Sequence, residues 1–258
     1  MVQYDPLAYL PSAEELPDSD DTPVDNEFQN LIPNLLLASL ALAWPKRMDW
    51  FFGVDMGIYY TPSPRPIPIV PDGFLSLGVP RRTREPGRLS YVLWEENWVV
   101  PKLVLESVSQ TYGGEYDEKL AKYAQLGALY YVIYNPDFWR RDKHEPFEVY
   151  QLTDGQYVRL PGEPVWLPEI ELGIGRGQGE YGGWMREWLY WYDRSGRRLT
   201  TPEELAAQER QRAEQERQRA EQASQQLESL LENLRAQGID PSKFLTDVDS
   251  GAADGPKV

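Results

Sequence analysis

Cysteine is missing from all 258 residues, and histidine occurs once, at His144. The first absence excludes disulfides, zinc–thiolate sites and a cysteine nucleophile. It fits a reducing compartment, so a cytoplasmic location is expected. The second leaves no Ser-His-Asp arrangement in view. His144 lies in the charged stretch Arg-Arg-Asp-Lys-His-Glu, and no G-x-S-x-G elbow accompanies it. A long apolar run is lacking too. The most apolar one, Leu31 to Trp44, is interrupted by Pro33, Asn34 and Ser39 and is too short and polar to cross a bilayer. The N-terminus has no basic-then-apolar signal pattern, so no secretory leader and no membrane partner are expected. The Gly-rich stretch from Gly173 to Gly179 lacks the Lys-Ser/Thr of a P-loop and is expected to be a flexible loop.

Basic residues are absent from positions 1–30, which carry eight acids. The net charge of −15 is concentrated at the two ends: positions 201–258 hold 12 acids against 7 bases, and positions 31–200 are left with 21 acids and 19 bases. The body is thus nearly neutral. It can bind phosphate locally, but gives no support for tight general binding to DNA. What is plentiful is aromatic surface, with 9 Trp, 16 Tyr and 7 Phe in a chain that is 41% hydrophobic, enough for a real core.

The composition divides the chain into four parts. Residues 1–24 mix Pro, Asp, Ser and Glu and read as an extended acidic arm. Residues 25–200 form the globular body. Residues 201–238 read as a charged helix, because Glu-Arg-Gln-Arg-Ala-Glu-Gln is repeated in tandem at 209–215 and 216–222. Ala206, Ala213, Ala220, Leu227 and Leu234 recur every seven residues there, with Ala223 and Leu230 on the same side. The seam is weak in its first half and better in its second. Both a solvated single helix and a coiled coil, with a homodimer or a partner protein meeting residues 203–237, remain open. Residues 239–258 are expected to be a disordered tail.

Within the body, Asp25 is a plausible N-cap for a helix from about Asn26 to Trp44. Phe28, Leu31, Ile32, Leu35 and Leu36 recur at helical spacing, and Pro33 threatens to kink the segment. Leu103–Val108 reads as a buried strand. Gly113-Gly114 breaks the chain, Glu115 to Gln125 reads as a helix stopped by Gly127, and Tyr130–Tyr134 as another strand. Strand, helix, strand in this order predict a β-α-β crossover, hence an α/β fold with a mixed sheet flanked by helices. A hairpin is expected around Asp154-Gly155.

Two acids stand out. Asp72 ends the run Ile-Val-Pro, and Glu106 interrupts Leu-Val-Leu with Ser-Val after it. A carboxylate inside a buried strand is costly unless paired, protonated or on a metal. Converging at adjacent strand ends, the two would suit Mg²⁺ or Mn²⁺. Each alone reads rather as a hydrogen-bonded or edge-exposed acid. Lys119 lies on the helix that follows, with Tyr123 four residues on along the same face, and could sit over the acids. Alone it reads as a surface lysine, as does Lys122, which can pair with Glu118.

The ordered set Pro71-Asp72, Leu103-Val-Leu-Glu106-Ser-Val-Ser109, Asp117-Glu-Lys119-Leu-Ala-Lys-Tyr123 and Tyr130-Tyr-Val-Ile-Tyr-Asn-Pro136 resembles the Uma2 family, also called DUF820, of the PD-(D/E)XK restriction-endonuclease-like superfamily. The resemblance spans roughly 25–200. It implies a central mixed sheet flanked by helices, with Asp72 and Glu106 as metal-binding acids and the Ser107 carbonyl as a further ligand. The superfamily pattern puts a lysine two residues after the second acid. That position is Val108 here, and Lys119 takes its place. A glutamate on the first helix often faces such sites, and Glu27 is the candidate, with Gln29 or Asn30 as substitutes.

The implied reaction is endonucleolytic hydrolysis of phosphodiester bonds, with nucleic acid, DNA first, as substrate. Asp72, Glu106, Lys119 and Glu27 would be catalytic, and Tyr123 with Arg81, Arg82, Arg84 and Arg88 of the basic loop 81–88 would contact substrate; the four arginines read at least as well as a solvated loop. The alternative is a non-catalytic or regulatory protein on the same fold, binding a partner through its C-terminal helix.

Overall fold

A computed structural model describes residues 10–16, 27–62, 66–82 and 87–241 of the protein. Contacts divide the chain into two units, Met1–Pro202 and Glu203–Val258. The first opens with helix α1 (Glu27–Ala43), followed by strands β1 (Trp50–Val54), β2 (Ile58–Tyr59), β3 (Gly73–Leu77), β4 (Tyr91–Val92) and β5 (Leu103–Ser107). Helix α2 (Glu118–Leu126), strand β6 (Tyr130–Tyr134) and the short helix α3 (Trp139–Asp142) come next. Strands β7 (Phe147–Thr153), β8 (Gln156–Leu160), β9 (Val165–Leu167), β10 (Leu172–Tyr181) and β11 (Trp184–Tyr192) complete it.

Six strands form the central sheet in the order β1-β3-β5-β6-β7-β8. Only β5 and β6 pair in parallel within it, joined by α2 as the sequence predicts; every other pair is antiparallel. The sheet is therefore mixed, with helices packed on it. Both parallel strands are buried along their whole length, which is why they read as continuous apolar runs.

The two faces of the sheet build two cores. On one face Leu75, Leu103, Leu105, Tyr130 and Val132 meet Leu35, Leu36 and Leu40 of α1 together with Trp188 and Trp191 of β11. On the other, Phe74, Val104, Tyr131 and Ile133 meet Tyr123 and Leu126 of α2. Strand alternation follows directly. Leu103 and Leu105 turn to α1, so Val104, Glu106 and Val108 turn to α2.

α1 runs through Pro33 without ending, and Pro33 is buried. Its ring lies over the start of β3. A Cβ built on Gly73 would stand 3.0 Å from Pro33 Cβ and 3.2 Å from Phe52 Cζ, so only glycine lets β3 pass this closely beneath the helix. Asp25, the expected N-cap, lies outside the described residues. The described part of the acidic arm forms a turn at 13–15 and packs on the body: Ala13 and Leu16 are buried against Tyr59 and Val92, and Trp94 Nε1 donates to Pro11 O at 2.8 Å.

One expectation is overturned. The Gly-rich stretch 173–183 is not a flexible loop. Most of it is the ten-residue strand β10, paired along its length with β11 in a three-stranded sheet, order β11-β10-β9. The alternate glycines make room for aromatic rings. A Cβ on Gly177 would meet the Tyr190 ring at 3.1 Å, and one on Gly179 would meet Tyr190 Oη at 2.1 Å. Glycine here marks a close approach rather than a break. The hairpin at Asp154-Gly155 is as expected: both residues have positive φ, 51° and 79°, and link β7 to β8.

Helix α4 (Pro202–Ala236), which lies in the second unit from Glu203 on, has no buried residue. Its Arg212–Glu216 and Arg217–Glu221 pairs sit at i, i+4. Residues 242–258, most of the expected tail, lie outside the described residues. Among the described residues no helix is long and apolar enough to cross a membrane.

Candidate active site

The antiparallel register of β3 and β5 pairs Gly73 with Leu105 and Phe74 with Val104. Continued by one residue, it sets Asp72 opposite Glu106. Residues directly opposite in an antiparallel pair share a face, so both acids look toward α2. The Ser107 N–H fixes this arrangement by donating to Asp72 Oδ2 at 2.6 Å. On the other side of Asp72, the Asp55 N–H donates to its carbonyl at 3.1 Å, with Asp55 at a left-handed φ of 50°.

α2 brings the cation. Asp117 caps it by accepting from the Glu118 N–H, and Gly127 ends it in the left-handed conformation. Lys119 and Tyr123, one turn apart, reach Glu106 together. Lys119 Nζ donates to Glu106 Oε2 at 2.9 Å, and the Tyr123 hydroxyl donates to Oε1. Glu106 is 1% exposed and Tyr123 fully buried. Glu115 completes the cluster. It is buried, accepts from the Gly113 N–H at 3.0 Å, and its Oε1 lies 3.9 Å from Lys119 Nζ.

One ammonium thus serves several carboxylates. Burial pushes the Asp72 carboxyl well above the usual carboxylate range, and the charge of Glu106 adds to the rise; the Ser107 N–H and Lys119 oppose it only in part. Burial raises Glu106 as well, against the pull of Lys119 and Tyr123. For Lys119, burial alone would favour the neutral amine. The attraction of Glu106, Asp72 and Glu115 outweighs it, and the amine is held more firmly charged than an ordinary lysine.

This donor set fits a hard divalent cation. Two carboxylates on adjacent strands hold protons more readily than usual, mainly because they are buried, and a divalent ion on them would replace those protons. Among the described residues there is no group of three or more His, Cys, Asp or Glu side chains placed to hold a metal. A cation here would rest on Asp72, Glu106 and a backbone oxygen such as that of Ser107, with water filling the rest, as Mg²⁺ sites do.

The other sequence candidates fare differently. Glu27 is exposed at the start of α1, beside Phe28, whose ring packs edge-on to Trp184 and Trp188. Gln29 is half-buried, while Asn30 is exposed and accepts from Asn34 Nδ2 at 2.8 Å. Arg88, expected at the substrate, is buried in a bidentate pair with Glu96, at 2.5 and 3.0 Å, and lies over the Phe51 ring. That makes it a structural cation. Arg81 is stacked over Trp50 at 4.1 Å, Arg82 is exposed, and Arg84 lies outside the described residues. Tyr123 has no surface to offer a substrate and instead orients Glu106. Glu115 and Asp55 escaped the sequence reading. For Glu115 a signal existed, since it stands four residues before Lys119.

A family profile described as "Putative restriction endonuclease", that of Uma2, matches residues 21–178, more than half of the chain. The chain belongs to the Uma2 family. Among solved structures it is similar to one from Anabaena variabilis ATCC 29413, described as a "putative nuclease belonging to DUF820". The two are 12% identical with a TM-score of 0.40, over 60% of this chain and 87% of that one. No curated protein matches.

Proposed function

We propose that the protein is a metal-dependent endonuclease acting on nucleic-acid phosphodiester bonds, with Asp72, Glu106 and Lys119 as its working groups. The observation that carries this is the convergence of two cross-strand carboxylates, both with raised pKa, on a single charged lysine. Uma2 membership supplies the reaction class.

Asp72 and Glu106, with the Ser107 carbonyl, would hold Mg²⁺ or Mn²⁺. A divalent ion in that place supplies Lewis-acid charge stabilisation at the phosphate and activates water at neutral pH. The protein's own groups do the rest. The Ser107 N–H holds the Asp72 carboxylate by donating to its Oδ2. The Tyr123 hydroxyl holds Glu106 in place and stays protonated, because burial and the Glu106 charge push its pKa well up. The Lys119 ammonium, kept charged by three acids, is a fixed positive group for a phosphate oxygen or the attacking water.

A second reading, a non-catalytic protein working through α4, has one observation in its favour: both Glu106 oxygens are engaged by protein donors. Titrating the full-length protein with Mg²⁺ and Mn²⁺ while following its melting temperature and its cleavage of plasmid and single-stranded DNA separates the two. A nuclease shows metal-dependent stabilisation and cleavage, with cleavage lost in Asp72→Ala and Lys119→Ala. If metal changes neither property, the catalytic reading fails.

A further inference from the structure

The loop between β5 and α2 carries an aromatic tower that the cleavage chemistry does not use. The Tyr116 ring lies flat on His144, with centroids 3.6 Å apart and planes within 4°. Tyr112 continues the parallel arrangement, 6.3 Å from Tyr116 and within 10°. The tower is anchored from inside. Asn135, fully buried, donates to the Tyr116 hydroxyl at 3.1 Å. His144 Nδ1 lies 3.3 Å from the carboxylate of buried Glu148. Arg141 pins the loop by donating to Gln110 O at 2.6 Å. The outer end is open: Tyr112 is 43% exposed.

This open ring stands beside the candidate active site. Gly113 is the next residue, and a Cβ on it would lie 3.7 Å from Lys119 Nζ. We propose that Tyr112 is a stacking platform for an unpaired nucleobase adjacent to the scissile phosphate, backed by Tyr116 and His144. The proposal rests on the phosphodiester-cleaving function above and gives it a substrate class: a single strand, a strand end or a flipped nucleotide. Bases inside a duplex have both faces covered by their neighbours and cannot use such a ring. The charge distribution agrees. A body with 21 acids and 19 bases has little to attract a duplex backbone, so affinity must come from contacts that salt does not screen.

The test compares the full-length wild type with Tyr112→Ala and Tyr112→Phe. Anisotropy of a fluorescein-labelled single-stranded oligonucleotide and of its duplex is measured with Ca²⁺ replacing Mg²⁺, and cleavage is followed separately in Mg²⁺. Wild type should prefer the single strand. Tyr112→Ala should bind it about tenfold more weakly, with duplex binding, salt dependence and melting temperature unchanged, and Tyr112→Phe should restore it. An independent measurement leaves the protein untouched: single abasic residues scanned along the strand should produce one position with a similar loss. If Tyr112→Ala and every abasic strand bind like their parents while wild type still cleaves, the platform is overturned and the nuclease stands. If wild type neither binds nor cleaves any of these, both fall together.

Discussion

Glu96 and Glu106 are both buried, and each has a basic partner, Arg88 and Lys119 respectively. Around Glu96 the account is closed. One guanidinium makes two short bonds to one carboxylate, donates a third to Pro80 O, and lies over an aromatic ring. Around Glu106 it is open. One ammonium is shared with Glu115 and feels Asp72, and Asp72 and Glu106 keep raised pKa values, chiefly from burial, despite it. A charge-matched buried pair holds a loop in place; the acid-rich one is where, under the proposed function, a metal ion would bind.

Glu106→Gln should therefore show the largest effect. Metal-dependent cleavage should fall by a factor on the order of a thousand or more, while stability changes by only about 1 kcal/mol, because the charge removed was in excess. Arg88→Met should do the reverse. Leaving Glu96 buried and unpaired should cost about 3–5 kcal/mol in urea denaturation, with metal-induced stabilisation intact in the folded fraction. Adding Glu96→Leu should recover most of that loss. Lys119→Met comes next. Lys119 is partly exposed and Glu106 can take up a proton, so about 2 kcal/mol should be lost, together with cleavage. A stability cost as large as that of Arg88→Met would erase the distinction drawn here.

The smallest effect is in pH. Asp72 and Glu106 sit above their ordinary values of 3.8 and 4.5. In the metal-free protein the folded chain keeps protons there that the unfolded chain has released. Their contribution to stability is therefore full below the ordinary values and is lost as pH rises through the raised ones. Each kcal/mol lost lowers the melting temperature by about 2–4 °C. Mg²⁺ should flatten this slope, and so should Asp72→Asn. A metal-free melting temperature that rises through the same window would contradict the raised values.

Much of this was legible from the chain. The run Leu103–Val108, the Gly-Gly break, the helical spacing of Lys119 and Tyr123 and the stop at Gly127 define the crossover. They leave Glu106 as the one acid in the two parallel strands that the crossover joins. Taken as residues, Asp72 and Glu106 read as two unusual acids whose pairing came from the family resemblance, since the register that sets them face to face depends on how β3 pairs with β5. Arg88 read as a loop cation because Glu96, eight residues on, meets it only through the fold of the intervening chain. The glycines of β10 read as a loop because composition cannot show rings arriving from β11. Tyr123 was placed on the right helical face, but its burial, and so its role toward Glu106, follows from tertiary packing.

The close passage of β3 beneath Pro33 has a consequence for how substitutions would be tolerated. Gly73 bears no functional group, yet even a methyl there would press on the helix above and shift the backbone one residue from Asp72. In a saturation screen scored by DNA cleavage, intolerance would not stop at the acids and the lysine. It would run on through position 73 into the middle of α1, tracing a mechanical lineage from an apolar helix to a charged pocket.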